Sequence, residues 1–152
     1  GTTPSGNGSL LMKYFKKTNE KDDYAGIAAT VHDAFKLGRA AIVAKDYELR
    51  DEQAEIIKIN LSKVVGIYAL HYLSSAITDL SDSASDKRDA FHGLSEGYGF
   101  VMSLQFTNDG TDTPYFTKSE VDSYLQQIDN FYTVETSTLQ TIHDEIKSKF
   151  VL

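Results

Sequence analysis

The sequence predicts an all-α protein, a single-domain bundle of about four to six helices around one buried central helix. Apolar residues recur at three- and four-residue spacing through most of the chain, which is the period of a helix with one buried face. No segment reads as a β-strand, which would require a two-residue alternation of apolar and polar side chains. The 152 residues, of which 41% are hydrophobic and 24% charged, suffice for one ordinary domain with a packed core.

The N-terminal third is predicted to contain a linker, a short helix and a long helix. Residues 1–9 have linker composition, and the bundle domain is expected over residues 10–152. Ser9 is the expected cap of a short helix over residues 10–15, and an exposed connection follows from Lys16 to Asp23. A long helix is expected from about Asp22 to Tyr47. Its inward face is predicted to comprise Tyr24, Ile27, Ala28, Val31, Ala34, Phe35, Ala41, Ile42 and Ala44.

The central helix is predicted from about Asp51, as its N-cap, to Leu80. Its first half is amphipathic, whereas residues 64–73 are apolar on nearly every side. A helix of that composition is expected to be surrounded by protein. His71 interrupts this apolar run, so it is expected in the most buried stretch of the helix.

The next helix is predicted over about residues 85–106, after a polar loop. Either Ser83 or Ser85 is its expected N-cap. Glycine inside a helix costs up to ~1 kcal/mol relative to alanine, and a close approach of another backbone usually compensates. Gly93 and Gly97, one turn apart, therefore favour a tight helix crossing.

Two shorter helices complete the predicted bundle. Residues 117–120 read Thr-Lys-Ser-Glu, the pattern of a capping box, and predict a helix that ends near Asn130. The last helix is expected to begin near Thr133 or Thr136 and to end near Phe150.

Composition excludes several classes of partner and site. The net charge is −7, and no stripe of basic residues stands out, so nucleic acid is not expected as a partner. The absence of cysteine excludes disulfides, thiolate metal sites and a thiol nucleophile. No apolar run approaches the ~18 to 20 residues of a membrane span, so no transmembrane segment is predicted.

The strongest candidate site is a metal site built from His92, Glu96 and His71. On a helix, His92 and Glu96 lie four residues apart and share a face, and His71 of the central helix is the expected third ligand. Imidazole and carboxylate ligands suit a divalent metal such as zinc or iron. The same pair is also typical of a hydrogen-bonded structural pair, and a buried histidine usually donates to a neighbouring carbonyl or hydroxyl. Both interpretations stay open.

Two other groups are weaker candidates. His32 and His143 lie beside acidic residues on amphipathic helices and are expected to face solvent. The loop over residues 108–112, Asn-Asp-Gly-Thr-Asp, resembles the start of a calcium loop. It lacks the bidentate glutamate at the required later position, which disfavours an EF-hand.

Several blocks of the sequence resemble a known family. They are Gly38-Arg39-Ala40-Ala41-Ile42, then Lys45-Asp46-Tyr47, then the segment from His92 to Phe100, and Pro114-Tyr115-Phe116. Together they are similar to domain-of-unknown-function family 4856, an uncharacterised family of extracytoplasmic proteins that are largely lipoproteins of Bacteroidetes. The resemblance extends from the first long helix to Phe150. It implies that the chain is the C-terminal part of a longer precursor, lipid-anchored through its N-terminus and located in the periplasm or at the cell surface.

That family is similar in helical style to the imelysin-like proteins. These are associated with outer-membrane iron uptake and carry a Gly-x-His-x-x-Glu motif. Here Ala90 stands at the glycine position, and Glu96 follows His92 by four residues where the motif has three. The resemblance to the motif is therefore confined to His92 and Glu96.

Three functions follow as expectations. The favoured one is a non-enzymatic binding or accessory protein of the cell envelope, with an envelope protein or a small ligand as partner and a link to metal or iron acquisition. The first alternative is a metal-dependent, peptidase-type enzyme that uses His92, Glu96 and His71 around an open coordination position. The second is a purely structural protein-interaction domain, for which an exposed apolar patch would be the mark. No catalytic residue and no oligomeric state are predicted.

Overall fold

Six α-helices form the part of the chain that the structure describes, which is residues 11–84 and 86–150 of a computed structural model. They are α1 (Leu11–Asn19), α2 (Ile27–Ala44), α3 (Tyr47–Ser81), α4 (Lys87–Ser103), α5 (Lys118–Gln127) and α6 (Thr136–Phe150). Two 3-10 turns, Asp22–Tyr24 and Leu104–Phe106, precede α2 and follow α4. These residues contain no β-strand, so the predicted all-α class is confirmed. The predicted linker over residues 1–9 and the Ser9 and Ser85 caps lie outside the described residues.

The chain divides into two compact units. Unit 1 comprises Gly1–Val64 and Asn108–Thr113, with α1, α2 and the first half of α3. Unit 2 comprises Val65–Thr107 and Pro114–Leu152, with the rest of α3 and helices α4 to α6. The single domain expected over residues 10–152 stays a prediction. None of the helices described in either unit has the length and apolar character needed to cross a membrane.

The start of α3 lies four residues before the predicted one. Lys45 ends α2 in the left-handed region, with φ 60°, and its amide bonds to Ile42 O. Asp46 then accepts a hydrogen bond from the Leu49 amide at 3.1 Å, so its carboxylate satisfies one of the free amides of the first turn. The prediction of Asp51 as N-cap was wrong because Asp46 already serves the same purpose one turn earlier.

The connection between α1 and α2 also differs from the prediction. Helix α1 continues through Lys16 and Lys17 to Asn19, where an exposed connection was expected. Gly26, with φ 98°, interrupts the predicted long helix, so α2 begins at Ile27. The side-chain oxygen of Asn19 accepts from the Gly26 amide at 2.8 Å and the Ala28 amide at 3.3 Å, which caps α2 from the preceding helix.

Side-chain caps also fix the starts of α4 and α5. Asp86, not Ser83, caps α4 by accepting from the Arg88 amide at 2.9 Å. The capping box before α5 is confirmed: Thr117 accepts from the Glu120 amide at 3.2 Å, and Glu120 accepts from the Thr117 amide at 2.8 Å.

Unit 2 contains the larger core. Buried apolar side chains recur at three- and four-residue spacing on each of its helices, as a bundle requires. They include Ala69, Leu73 and Ala76 of α3, Leu94 and Val101 of α4, Val121 and Tyr124 of α5, and Leu139, Ile142, Ile146 and Phe150 of α6. Among the described residues of unit 1 the buried apolar side chains are fewer and smaller: Phe15, Ile27, Ala28, Val31, Ala34, Ala41 and Val64.

Candidate functional site

His92 and Glu96 lie one turn apart on α4, as the sequence predicts. His92 is exposed and Glu96 is half-buried. Glu96 borders a shallow groove of about 330 Å³ together with Ser95, Gly99, Phe100 and Ser103.

His71 is exposed, so its predicted position in the most buried stretch of α3 was wrong. Its ring contacts the rings of Tyr68 and Tyr72, at centroid distances of 5.8 and 5.1 Å. His71, Ser74 and Thr78 are all exposed and follow the helical period, so they form one accessible edge of α3. The helix is therefore buried on most sides but not on every side.

The three predicted ligands do not form a metal-ligand group in this structure. Among the described residues, no three side chains of His, Cys, Asp or Glu come together in a way that could hold a metal ion. Metal binding by His71, His92 and Glu96 stays a prediction from the sequence.

Gly93 and Gly97 lie at the crossing of α4 with α3, but the crossing is not as tight as predicted. A Cβ on Gly93 would stand 3.4 Å from the backbone nitrogen of Ala76, and a Cβ on Gly97 would stand 3.5 Å from the Cβ of Tyr72. These are ordinary van der Waals distances. The crossing therefore leaves room for a methyl group at each position.

Replacing Gly93 or Gly97 by alanine is expected to leave the free energy of unfolding unchanged or to raise it by up to ~1 kcal/mol, the difference in helix propensity. Gly99→Ala is the matched control, because nothing lies within 4 Å of a Cβ at that position of the same helix. Urea denaturation of the three variants measures the effect. A loss of more than ~1 kcal/mol relative to Gly99→Ala would show that the crossing is tighter than described.

Two interhelical contacts hold α6 against α5. Lys149 Nζ donates to Glu120 Oε1 at 2.5 Å and to the carbonyl oxygen of Tyr115 at 3.1 Å. The Tyr124 hydroxyl donates to Glu145 Oε2 at 2.7 Å. Burial, and then the neighbouring Glu145 carboxylate, raise the pKa of Tyr124 well above its ordinary value. Since both carboxylates already have partners within the fold, these contacts serve to position α6.

Glu120 makes stability depend on pH in the acid range. The Lys149 ammonium and the Thr117 amide and hydroxyl lower the pKa of Glu120 from 4.5 to about 2. A depressed pKa in the folded state adds stability that is complete above pH 4.5 and is lost as the pH falls toward 2. Wild type should therefore lose more stability than Glu120→Gln between pH 6 and pH 3, as measured by urea midpoints. Equal losses would contradict this role of Glu120.

The calcium-like loop satisfies its own polar groups. Asp109 Oδ1 accepts from the Thr111 hydroxyl at 2.6 Å and from the Thr111 amide at 3.0 Å, and the hydroxyl bond lowers the pKa of Asp109. The Asn108 amide donates to Ser62 Oγ of α3 at 3.0 Å. These contacts explain the polar residues of the loop as fold-stabilising groups.

The other two histidines are less accessible than predicted. His32 is half-buried, and its Nδ1 is buried with no hydrogen-bond partner among the described residues. His143 is also half-buried, with Nδ1 at 2.9 Å from Asp144 Oδ1.

Unit 1 exposes large apolar side chains that sequence reasoning placed inside. Phe35 and Ile42, predicted on the buried face of α2, are 49% and 54% exposed. They lie seven residues apart, so they share one edge of the helix. The other large apolar side chains exposed among the described residues of unit 1 are Leu37, Val43 and Tyr47. Apolar residues occupy a wider arc of α2 than one packing face can bury. This width is the sequence feature that could have indicated the exposure of Phe35 and Ile42.

The opposite edge of α2 borders a groove, here named the α2–α3 groove. It has a volume of about 550 Å³ and is lined by Thr30, Asp33, Ala34, Lys36, Leu37, Ala40, Gln53 and Ile56. Gln53, which lines the groove, packs against Gly38 of α2, since a Cβ on Gly38 would stand 3.3 Å from the Gln53 Cβ. Sequence reasoning did not identify this groove.

The family model described as Domain of unknown function (DUF4856) matches residues 1–152. No curated protein and no solved structure matches the chain.

Proposed function

The chain belongs to the DUF4856 family, whose function is unknown, and from this premise we propose that it is a non-enzymatic binding protein of the cell envelope. In this proposal unit 1 binds a protein partner through its exposed apolar surface. The observation that carries the proposal is the exposure of Phe35 and Ile42 along one edge of α2, with Val43 and Tyr47 exposed shortly after Ile42 in the chain. A contiguous exposed apolar patch, unlike apolar residues scattered singly, marks a protein interaction site.

The distribution of charge supports unit 1 as the binding unit. Unit 1 carries 10 basic and 11 acidic residues, whereas unit 2 carries 5 basic and 11 acidic residues. The net charges are therefore −1 and −6, and unit 2 holds most of the acidic excess. Because its charges nearly cancel, unit 1 would not repel a partner of either sign at long range, whereas the acidic excess of unit 2 would repel an acidic one.

Site-specific photo-cross-linking tests the binding function. A photoreactive amino acid replaces Ile42 of the full-length protein in its own cells, and the matched control replaces Met102 of unit 2, which is 45% exposed. We expect one protein to be cross-linked at position 42 and not at position 102, and to bind the purified chain directly. Equal yields at both positions, or no cross-link at position 42, would contradict the proposal.

The envelope location is supported by the resemblance to extracytoplasmic lipoproteins. Cell fractionation of the full-length gene product, with metabolic labelling by a fatty acid, tests it. We expect the protein in the membrane fraction with a covalent lipid. An unlipidated product in the cytoplasm would reject this location while leaving the cross-linking test intact.

The link to metal or iron acquisition is supported by the similarity of the family to the imelysin-like proteins and by the His92–Glu96 pair on α4. Calorimetric titration with zinc or ferrous iron, on protein purified without a metal-affinity column, tests it. Stoichiometric binding that His92→Ala abolishes would support the link. Saturation of wild type and His92→Ala alike, or no binding, would remove it from the proposal.

A further inference from the structure

Three aromatic side chains of unit 2 form a surface patch between α4 and the turn that precedes α6. The ring of Phe91 contacts those of Phe131 and Tyr132, at centroid distances of 6.4 and 4.9 Å. Phe91 and Phe131 are half-buried and pack against the core of unit 2, whereas Tyr132 is 84% exposed. These three residues, here named the aromatic patch, therefore present an open ring face to solvent on a packed base.

The turn that carries Tyr132 is fixed by hydrogen bonds. The Asn130 side-chain oxygen accepts from the Tyr132 amide at 3.1 Å. The Asn130 carbonyl oxygen accepts from the Thr133 and Val134 amides at 3.2 and 3.0 Å. The ring of Tyr132 meets that of Phe91 at 72°, an edge-to-face arrangement. Tyr132 is therefore held in place before anything binds to it, which lowers the ordering cost of a complex.

The charge beside the aromatic patch is negative. Asp129 and Glu135 each lie three residues from Tyr132, a length of chain that spans at most about 11 Å. Both side chains are exposed, and neither makes a hydrogen bond or an ion pair among the described residues. Residues 119–146 contain six carboxylates and no lysine or arginine. Lys87, one turn before the patch on α4, offsets only one of the two adjacent charges.

A cation that stacks on an aromatic face matches both features of this surface. Positive groups bind over the faces of tyrosine and phenylalanine rings, and nearby carboxylates add direct attraction. A free small cation requires a concave site that encloses it, whereas the face of Tyr132 is open surface. The guanidinium of arginine is planar, stacks on aromatic rings and donates paired hydrogen bonds to carboxylates. An arginine side chain of a larger partner therefore fits best, and the net charge of −6 on unit 2 attracts a basic partner at long range.

We propose that the aromatic patch binds an arginine-bearing basic segment of a protein partner, with the guanidinium stacked on Tyr132 and paired with Asp129 or Glu135. This second binding site lies on unit 2 and does not depend on the exposed apolar surface of unit 1. Met102 lies eleven residues after Phe91 on α4, about 16 Å along the helix, and is outside the patch.

Peptide selection tests the site without knowledge of the partner. Random short peptides displayed on phage are selected on the purified wild-type chain. They are counter-selected on the triple variant Tyr132→Leu/Asp129→Asn/Glu135→Gln, which leaves unit 1 unchanged. We expect enrichment of peptides that contain arginine. No enrichment against the triple variant, or enrichment of sequences without arginine, would overturn the inference.

Changes at Tyr132 test the stacking on its ring. A selected peptide should bind about two- to fivefold more weakly to Tyr132→Leu and as well as wild type to Tyr132→Phe, which keeps the ring face. Phe106→Leu is the matched control, at an aromatic side chain of unit 2 that is 75% exposed and outside the patch. Unchanged affinity in Tyr132→Leu, or an equal loss in Phe106→Leu, would overturn the stacking.

Neutralising the carboxylates tests the charge of the site. Asp129→Asn/Glu135→Gln should weaken binding of the peptide about three- to tenfold. Asp89→Asn/Glu96→Gln is the matched control, because it removes the same charge from unit 2 on the side of α4 away from Phe91. This control should bind nearly like wild type. Equal losses in the two double variants would overturn the assigned contacts in favour of a general attraction.

A change in the peptide gives a readout that does not depend on the folding of any variant. Replacing the peptide's arginine by citrulline keeps its shape and removes its charge, so wild type should bind at least about tenfold more weakly. Unchanged binding would overturn the inference. A partner cross-linked at position 42 together with failure of the peptide tests would reject the site on unit 2 and keep the function of unit 1. Peptide binding at the patch without a cross-link at position 42 would do the reverse.

Discussion

Replacing Gly110 by alanine is expected to lower the free energy of unfolding by roughly 2 to 4 kcal/mol, because two costs act at the same position. Gly110 has φ 99°, a backbone conformation that side chains rarely adopt. A Cβ there would also stand 2.5 Å from Ile59 Cγ1 and 3.1 Å from the carbonyl oxygen of Glu55. The loop would have to move off α3, and the bond from the Asn108 amide to Ser62 would be strained or lost.

Gly26→Ala is the matched control for this prediction. Gly26 has nearly the same φ, 98°, but nothing lies within 4 Å of a Cβ at that position. The difference in urea-unfolding free energy between the two variants therefore reports the contacts with Ile59 and with the Glu55 carbonyl oxygen. We expect Gly110→Ala to be less stable than Gly26→Ala by about 1 to 3 kcal/mol. Equal losses would contradict the packing of the loop on α3.

Gly66→Ala is expected to reduce stability by about 1 to 3 kcal/mol, because Gly66 provides the space for the ring of Phe150. A Cβ on Gly66 would stand 2.7 Å from both Cδ2 and Cε2 of that ring. Phe150 is 4% exposed, and its ring also contacts those of Tyr115 and Phe116, at centroid distances of 4.5 and 5.8 Å. The ring therefore has little room to move aside.

A double-mutant cycle distinguishes this clash from a general effect on the helix. Phe150→Ala alone should cost about 3 to 5 kcal/mol, through loss of burial and the cavity left behind. In that background the clash disappears, and Gly66→Ala should become neutral or stabilising by up to ~1 kcal/mol through helix propensity. Urea denaturation of the four proteins measures the cycle. The same destabilisation by Gly66→Ala in both backgrounds would contradict the contact.

The helices themselves were largely predictable. The periodicity of apolar residues predicted the start of α3 to within four residues and its end to within one residue. The capping box predicted the start of α5. The errors arose where two residues could fill one role. Asp46 and Asp51 are both good N-caps, and the choice depended on the left-handed φ of Lys45, which the residue type does not indicate.

The candidate sites were less predictable, because periodicity tells which residues share a face but not how far a neighbour covers it. Phe35 and Ile42 continue the helical period of the buried residues of α2, yet both side chains are about half exposed. His71 sits among buried neighbours in sequence, yet it lies on the accessible edge of α3. The burial of Gln53 could not be predicted from its residue type or spacing, because it depends on the approach of Gly38 from another helix.

The most direct test of unit 1 as the binding surface is the affinity of the cross-linked partner, once purified, for three forms of the chain. We expect Ile42→Asp to bind at least about tenfold more weakly than wild type, as expected for a central apolar contact. Met102→Asp, an equally drastic change at an exposed apolar residue of unit 2, should bind like wild type. Loss of affinity in Met102→Asp with none in Ile42→Asp would contradict a binding surface on unit 1.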